Sequence, residues 1–231
     1  MKKTGLIIIK LFVGLFACAL GIVMTINANL GLSPWDVFHQ GFANLLGITI
    51  GKAHIIVGLS LVITDHLIGE KVGWGTLSNM LFVGLFIDFL MLNKLVPTFN
   101  GFIPNLVMML LGVFTLGVGS YLYIDVGLGS GPRDGLMIAL VKKTGKSVRF
   151  VKNSVELMAV IVGYMLGGYI GVGTLIMAIA GGYLTQFAFK IAKFDVKEVQ
   201  HRFIDDDIKF IKEKFSNKLT DGEEVHTEEE N

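Results

Sequence analysis

The chain is poor in the residues on which most soluble enzymes rely. Its 231 residues include one cysteine, Cys18, which excludes an internal disulfide and any cysteine-based metal cluster. Five histidines, at positions 39, 54, 66, 201 and 226, are scattered without metal-ligand spacing. Charged residues make up 17%, below the usual quarter, and much of that charge lies after Phe194. No clustered basic face with interleaved aromatics exists, so nucleic-acid binding has no support. There is no phosphate-binding loop, no His-Glu-x-x-His and no nucleophile elbow. No enzyme signature remains, and no cofactor or metal is expected.

What the chain has instead is apolar length. Hydrophobic residues are 52% of the total, and the mean hydropathy is +0.65. Six stretches approach the roughly 20 apolar residues that a bilayer-crossing helix needs: Gly5–Ile26, Lys52–Ile68, Gly75–Leu92, Ile103–Ile124, Phe150–Gly167 and Val172–Phe189. Met1-Lys2-Lys3 before an apolar run resembles a secretion leader. However, Lys10 interrupts that run, and the run continues past Cys18 to Ile26. The expected class is an integral membrane protein with the bilayer as its first partner.

The sequence also repeats itself at an offset of 98 residues. Sliding Thr4–Lys94 onto Phe102–Ala192 gives 20 identities in 91 positions, where composition alone would give about a twelfth. Gly14, Phe16, Gly21 and Ile26 return as Gly112, Phe114, Gly119 and Ile124. This yields four segments: a membrane repeat over 1–96, a second over 97–193, a cytoplasmic amphipathic helix over 194–220, and a disordered acidic tail over 221–231. The third rests on Val196, Val199, Phe203, Ile211 and Phe215 recurring near helical spacing, the fourth on five glutamates.

Two polar motifs stand at equivalent places. Ser33-Pro34-Trp35-Asp36 and Gly131-Pro132-Arg133-Asp134 each read as a helix start: a cap, proline at the first helical position, and an acid able to bond back to the cap. The pieces they open, Pro34–Gly47 and Pro132–Gly145, would rise about 21 Å as helix, short of a hydrocarbon core of about 30 Å. They read as half-helices. A helix start at that depth has unpaired N–H groups and a positive dipole end, which needs water or a polar ligand. The eight motif residues are therefore the candidate substrate site, with structural capping as the alternative. Gly73, Gly75 and Thr76, with Gly171, Gly173 and Thr174, form helix-start loops that would act as an ion nest or as plain threonine caps. Acids inside spans are costly and usually functional. Asp88 and Glu156 are the candidate coupling-ion residues; for Glu156 an intrahelical pair with Lys152 is the plain alternative.

Lys2, Lys3 and Lys10, the cluster Lys142–Lys152, and Lys190, Lys193 and Lys197 put both termini and the 142–152 loop in the cytoplasm. Three spans per half would make the halves inverted; four per half would make them parallel. The basic 142–152 loop has only Lys52 in its counterpart, which favours inversion.

Leu-Gly-Leu-Ser-Pro-Trp-Asp-Val from Leu30, Gly-Ile-Thr-Ile-Gly from Gly47, Gly-Trp-Gly-Thr-Leu from Gly73 and Gly-Ser-Gly-Pro-Arg-Asp-Gly-Leu-Met from Gly129 resemble the YczE/YyaS/YitT-type family of bacterial integral membrane proteins, nearest its YczE branch. The resemblance covers about residues 5–190. It implies a multi-pass protein of a bacterial plasma membrane and carries no agreed substrate. The expectation is an all-α membrane bundle of two repeats, each of three spans plus a half-helix, acting as a secondary transporter or permease for a small solute or ion. The alternative is a non-transporting adaptor that holds a soluble partner, or a second copy of the chain, through Phe194–Leu219.

Overall fold

The structure is a computed structural model describing residues 2–208. Within those residues every regular element is helical: α1 (Lys2–Asn27), α2 (Pro34–Leu46), α3 (Ile50–Ile68), α4 (Trp74–Ser78) passing through a π-helical turn (Asn79–Val83) into α5 (Gly84–Leu92), α6 (Phe102–Ile124), α7 (Pro132–Thr144), α8 (Val148–Met165) and α9 (Val172–Ile191). Five stretches are long and apolar enough to cross a membrane: Gly5–Asn27, Ile50–Ile68, Trp74–Leu92, Phe102–Ile124 and Val172–Ile191. The sixth expected stretch, 150–167, lies largely in α8 and is not among these five. α8 has 18 residues but includes Arg149, Lys152 and Glu156, and that charge sets it apart. Large apolar side chains cover the outside of the bundle; Leu67 and Met165 are 79% exposed and Ile179 73%. So broad an apolar surface is what lipid requires and water does not tolerate.

α1 and α6 form the most extensive helix pair. Glycine brings their backbones into contact. A Cβ added at Gly21 would lie 2.5 Å from Gly112 O, and one at Gly112 would lie 2.9 Å from Gly21 O. One at Gly14 would lie 2.7 Å from Tyr123 N, and one at Gly119 would lie 2.6 Å from Cys18 N. Partner numbers fall along α6 as they rise along α1, so the two helices run antiparallel.

The loops leading into α2 and α7 dock on distant spans. The N–H of Gly75 donates to Leu128 O and that of Gly173 to Leu30 O, both at 2.6 Å. Gly31 (φ +119°) and Gly129 (φ +112°) adopt backbone that side chains avoid. A Cβ on either would also lie 2.6 Å from a threonine hydroxyl, Thr174 for Gly31 and Thr76 for Gly129. Thr76 Oγ1 accepts the Gly73 N–H at 3.3 Å and donates to Ser130 O at 2.6 Å; Thr174 Oγ1 accepts the Gly171 N–H at 3.2 Å. These contacts come in pairs, 98 positions apart, with partners exchanged. The amides of both Gly-x-Gly-Thr loops are thus taken by the chain's own oxygens.

Around this centre α2 packs on α8, α3 on α7, and α3 on α5. The α3–α5 seam is closed by Asp88, which accepts from Thr49 Oγ1 (2.5 Å) and the Gly51 N–H (2.9 Å). α8 and α9, which the 98-residue offset aligns with α3 and α5, do not form a packed pair. Gly181 and Gly182 on α9 face open space.

One end of the bundle gathers Lys10 with Asp125, Lys142 with Glu70 at 2.7 Å, and Lys71 with Asp206 at 3.3 Å. The other gathers Asn27 bonded to Val96 O and Asn44 bonded to Gly167 O, both at 2.9 Å. The segment after α9 departs from the single helix its spacing predicts. A 3-10 turn (Val196–Glu198) leads to extended chain, and helix resumes only at 204–208. Local periodicity is overridden because this chain finds partners on the bundle: the Arg202 N–H donates to Gly127 O (2.8 Å) and the Ile204 N–H to Val72 O (3.0 Å). The rest of the expected helix and the acidic tail lie outside the described residues.

Candidate functional site

Both short helices start as their sequences dictate. Ser33 caps α2, its Oγ accepting the Asp36 N–H at 3.4 Å and donating to Asp36 Oδ2 at 2.5 Å; Pro34 takes the first helical position. α7 begins with Gly131 and Pro132, and the Asp134 carboxylate turns back to the Gly131 backbone N–H. Gly47 and Gly145 end the two helices in left-handed conformation. Capping is therefore one real role of both aspartates.

The tertiary structure adds that the first turns of α2 and α7 meet. The Arg133 guanidinium lies 5.0 Å from the Trp35 ring centroid and 3.5 Å from His39 Nδ1. His39 Nδ1 also lies 3.5 Å from Asp36 Oδ1, and the His39 and His54 rings are 4.8 Å apart. Asp36, His39 and His54 are 3%, 1% and 7% exposed. Among the described residues no carboxylate lies within ion-pairing distance of Arg133. Asp36 Oδ1 and His54 Nδ1 are buried without a hydrogen-bond partner.

These groups surround a cavity of about 210 Å³ at the middle of the bundle. Its walls include Cys18 from α1, His39 from α2, His54 from α3, Ser120 and Tyr123 from α6, Arg133 and Asp134 from α7, and Thr185 from α9. Asn79, first residue of the π-helical turn, also lines it. Such turns often mark functional positions, because the extra residue re-aims a side chain. Towards the basic end the chamber shares Ser120, Tyr123, Asp134 and Thr185 with a cavity of about 460 Å³, whose outer wall includes Glu70, Lys71, His201 and Phe203.

Of the sequence-derived candidates, Gly131, Pro132, Arg133 and Asp134 line the chamber, and Trp35 and Asp36 stand directly behind it. Ser33 and Pro34 serve the helix start. The two Gly-x-Gly-Thr loops lie at opposite ends and hold the loops that lead into α2 and α7. Asp88 is at the α3–α5 seam and Glu156 is beside Lys152 at 3.9 Å; neither lines the chamber. Residues the sequence reading missed are His39, His54, Asn79, Ser120 and Tyr123. Only His39 left a local trace, three residues after Asp36 on one helix face.

The outer cavity is closed partly by His201, whose Nδ1 accepts the Gly129 N–H at 3.3 Å. Burial holds its pKa below the usual 6.5, against an opposing pull from Asp134. The docked imidazole stays neutral while the undocked one protonates first. Docking is thus at full strength above about pH 6.5 and weakens as pH falls below that value. Protection of the amides at residues 196–207, taken relative to their intrinsic exchange rate at each pH, should fall on acidification from pH 7.5 to 5.5. His201→Gln, which removes the titrating ring, should abolish the pH dependence.

A profile of a family of unknown function, DUF6198, matches residues 6–190. The uncharacterized membrane protein YczE of Bacillus subtilis is 38% identical over 181 residues, covering 77% of this chain and 82% of that protein. An uncharacterized protein of Haemophilus influenzae is 29% identical over 168 residues, covering 73% and 76%. The uncharacterized protein YyaS of Bacillus subtilis is 26% identical over 175 residues, covering 74% and 87%. No solved structure matches the chain.

Proposed function

Because the chain belongs to DUF6198, a family of unknown function, and its relative YczE is named only as a membrane protein, we propose from the site itself that it is a secondary transporter for a small solute, working by alternating access at the chamber between α2 and α7. The observation that carries this is the meeting of two short-helix N-termini, one from each copy of the sequence repeat, at a central polar cavity. Discontinuous helices with exposed amide ends at the mid-plane are how many transporters hold a polar substrate inside lipid.

Antiparallel α1 and α6 support inverted repeats, since equivalent helices that both span must then run in opposite directions. α2 and α7 become half-helices entering from opposite sides. The end bearing Lys10, Lys142 and Lys193 is assigned to the cytoplasm, in a bacterial plasma membrane. The polar cavity of about 460 Å³ that adjoins the chamber on that side supports an inward-facing state. Inverted repeats generate the outward-open state by exchanging conformations: α8 closes on α9 while α3 leaves α5. The adaptor reading has less support, because the tail between Arg202 and Asp207 is already engaged by Gly127, Val72 and Trp74.

The test is two-sided access to the chamber. In a Cys18→Ala background, Ser120→Cys in proteoliposomes of known orientation should react with a membrane-impermeant thiol reagent from either side, faster from the cytoplasmic side. Reaction from one side only would end the alternating-access reading.

A further inference from the structure

We infer that the occupant of the chamber is a small anion, held by the Arg133 guanidinium beside the first turn of α7. This deepens the transporter proposal and rests on its choice of site. The argument starts from charge. Asp36, Arg133 and Asp134 stand at the junction of α2 and α7, and Glu156 and Lys152 of α8, paired with each other at 3.9 Å, act on Arg133 and Asp134 from the side. Each aspartate is occupied at a helix start, Asp36 by the Ser33 hydroxyl and Asp134 by the Gly131 N–H. A carboxylate at the first turn offsets the positive end of its helix. Arg133 has no such complement. Among the described residues its five N–H donors face one acceptor, His39 Nδ1, at a marginal 3.5 Å, and its flat face rests over Trp35.

A guanidinium so placed in the middle of a membrane protein is expensive unless something accepts its hydrogen bonds. Water is one acceptor. A planar or tetrahedral oxyanion is a better one, because its paired oxygens match the guanidinium fork.

A second, independent observation points the same way. His54 is 7% exposed, lines the same cavity, and has an Nδ1 with no partner. It comes from a different helix, and burial of a ring nitrogen without a bond is unfavourable. An anion on Arg133 that presents a further oxygen or hydroxyl to His54 would satisfy both. The hydroxyls of Ser120 and Tyr123 and the amide of Asn79 complete a polar lining. The volume of about 210 Å³ limits the ligand to an inorganic oxyanion or a short carboxylate.

Trp35 supplies the reporter, because an anion seated on Arg133 alters the guanidinium above its ring. The chain has two tryptophans, so Trp74→Phe leaves Trp35 alone. Purified full-length Trp74→Phe protein in detergent is titrated with the sodium salts of inorganic phosphate, sulfate and acetate against sodium chloride. Chloride itself is titrated against sodium gluconate, and methylammonium chloride is the cation control. A saturable change in Trp35 emission with at least one anion, and none with methylammonium beyond that of chloride, is expected. Arg133→Gln should abolish it. Arg133→Lys, which keeps the charge but loses the fork, should weaken it at least tenfold, as should His54→Phe.

Absence of a saturable response to every anion overturns the assignment. So does a response to methylammonium that Asp134→Asn removes. An anion response that survives both Arg133 substitutions does the same. Equilibrium binding and two-sided labelling of Ser120→Cys fail separately: binding without two-sided access keeps the anion site and removes transport, and the reverse keeps transport and removes the anion.

Discussion

Gly21→Leu should destabilise the fold severely. The added side chain must displace Gly112 O and the Leu116 N–H, 2.5 and 2.6 Å from where its Cβ would stand. Both belong to the backbone of α6, which cannot rotate away as a side chain can. Overpacking against movable side chains costs about 1–3 kcal/mol. Against a helix backbone the penalty reaches about 3 kcal/mol or more, a large share of a typical margin of about 5–15 kcal/mol. Size-exclusion chromatography in detergent should show loss of the monodisperse peak, or a melting temperature lower by about 10 °C. Gly181→Leu is the control, because a Cβ there meets nothing within 4 Å. Equal behaviour of the two variants would mean that α1 and α6 do not touch through their glycines.

The same substitution at Gly182 should have the opposite character: an intact fold and a blocked cycle. Gly182 faces open space, so leucine adds nothing unfavourable to this state. Its counterpart Gly84 is buried at the α3–α5 seam, where an added Cβ would lie 2.6 Å from Gly51 O. If the halves exchange conformations, α8 must close on Gly182 as α3 closes on Gly84. Leucine there prevents the closure and holds the protein open to the cytoplasm. The readout is the Ser120→Cys reaction. Labelling from the outer side should fall to background, while cytoplasmic labelling and melting temperature stay at their parental values. Undiminished outer labelling would refute the exchange of conformations, and a collapsed fold would show that Gly182 is already packed.

The legible and illegible parts of this protein divide by the range of the interactions involved. Helix starts are local. The Ser33-Pro34 and Gly131-Pro132 motifs, and Gly47 and Gly145 at the other ends, specify α2 and α7 from residues within four positions of one another, and the structure has both helices at Pro34–Leu46 and Pro132–Thr144. Apolar length is local too, and only α8 falls short, through its own charges. The site is not local. His39 meets Arg133 across 94 positions, and nothing near His54 announces that its ring approaches His39. Asp88 shows the converse error. An acid inside an apolar span reads as functional when its partners are unseen, yet Thr49 and Gly51, 39 and 37 residues away, use it to close a helix seam. The tail erred for the same reason: its helical spacing is real, but Gly127 and Val72 offer its backbone bonds that compete with helix.

By itself the sequence determined that the chain is a multi-helix membrane protein and where its two short helices begin, because hydropathy and capping act over a few residues. Only the tertiary structure decided that α1 and α6 run antiparallel and that Arg133 stands with two histidines over a cavity rather than against a carboxylate. Those outcomes depend on backbones brought together by glycine from opposite ends of the chain, and no window along the sequence contains both partners.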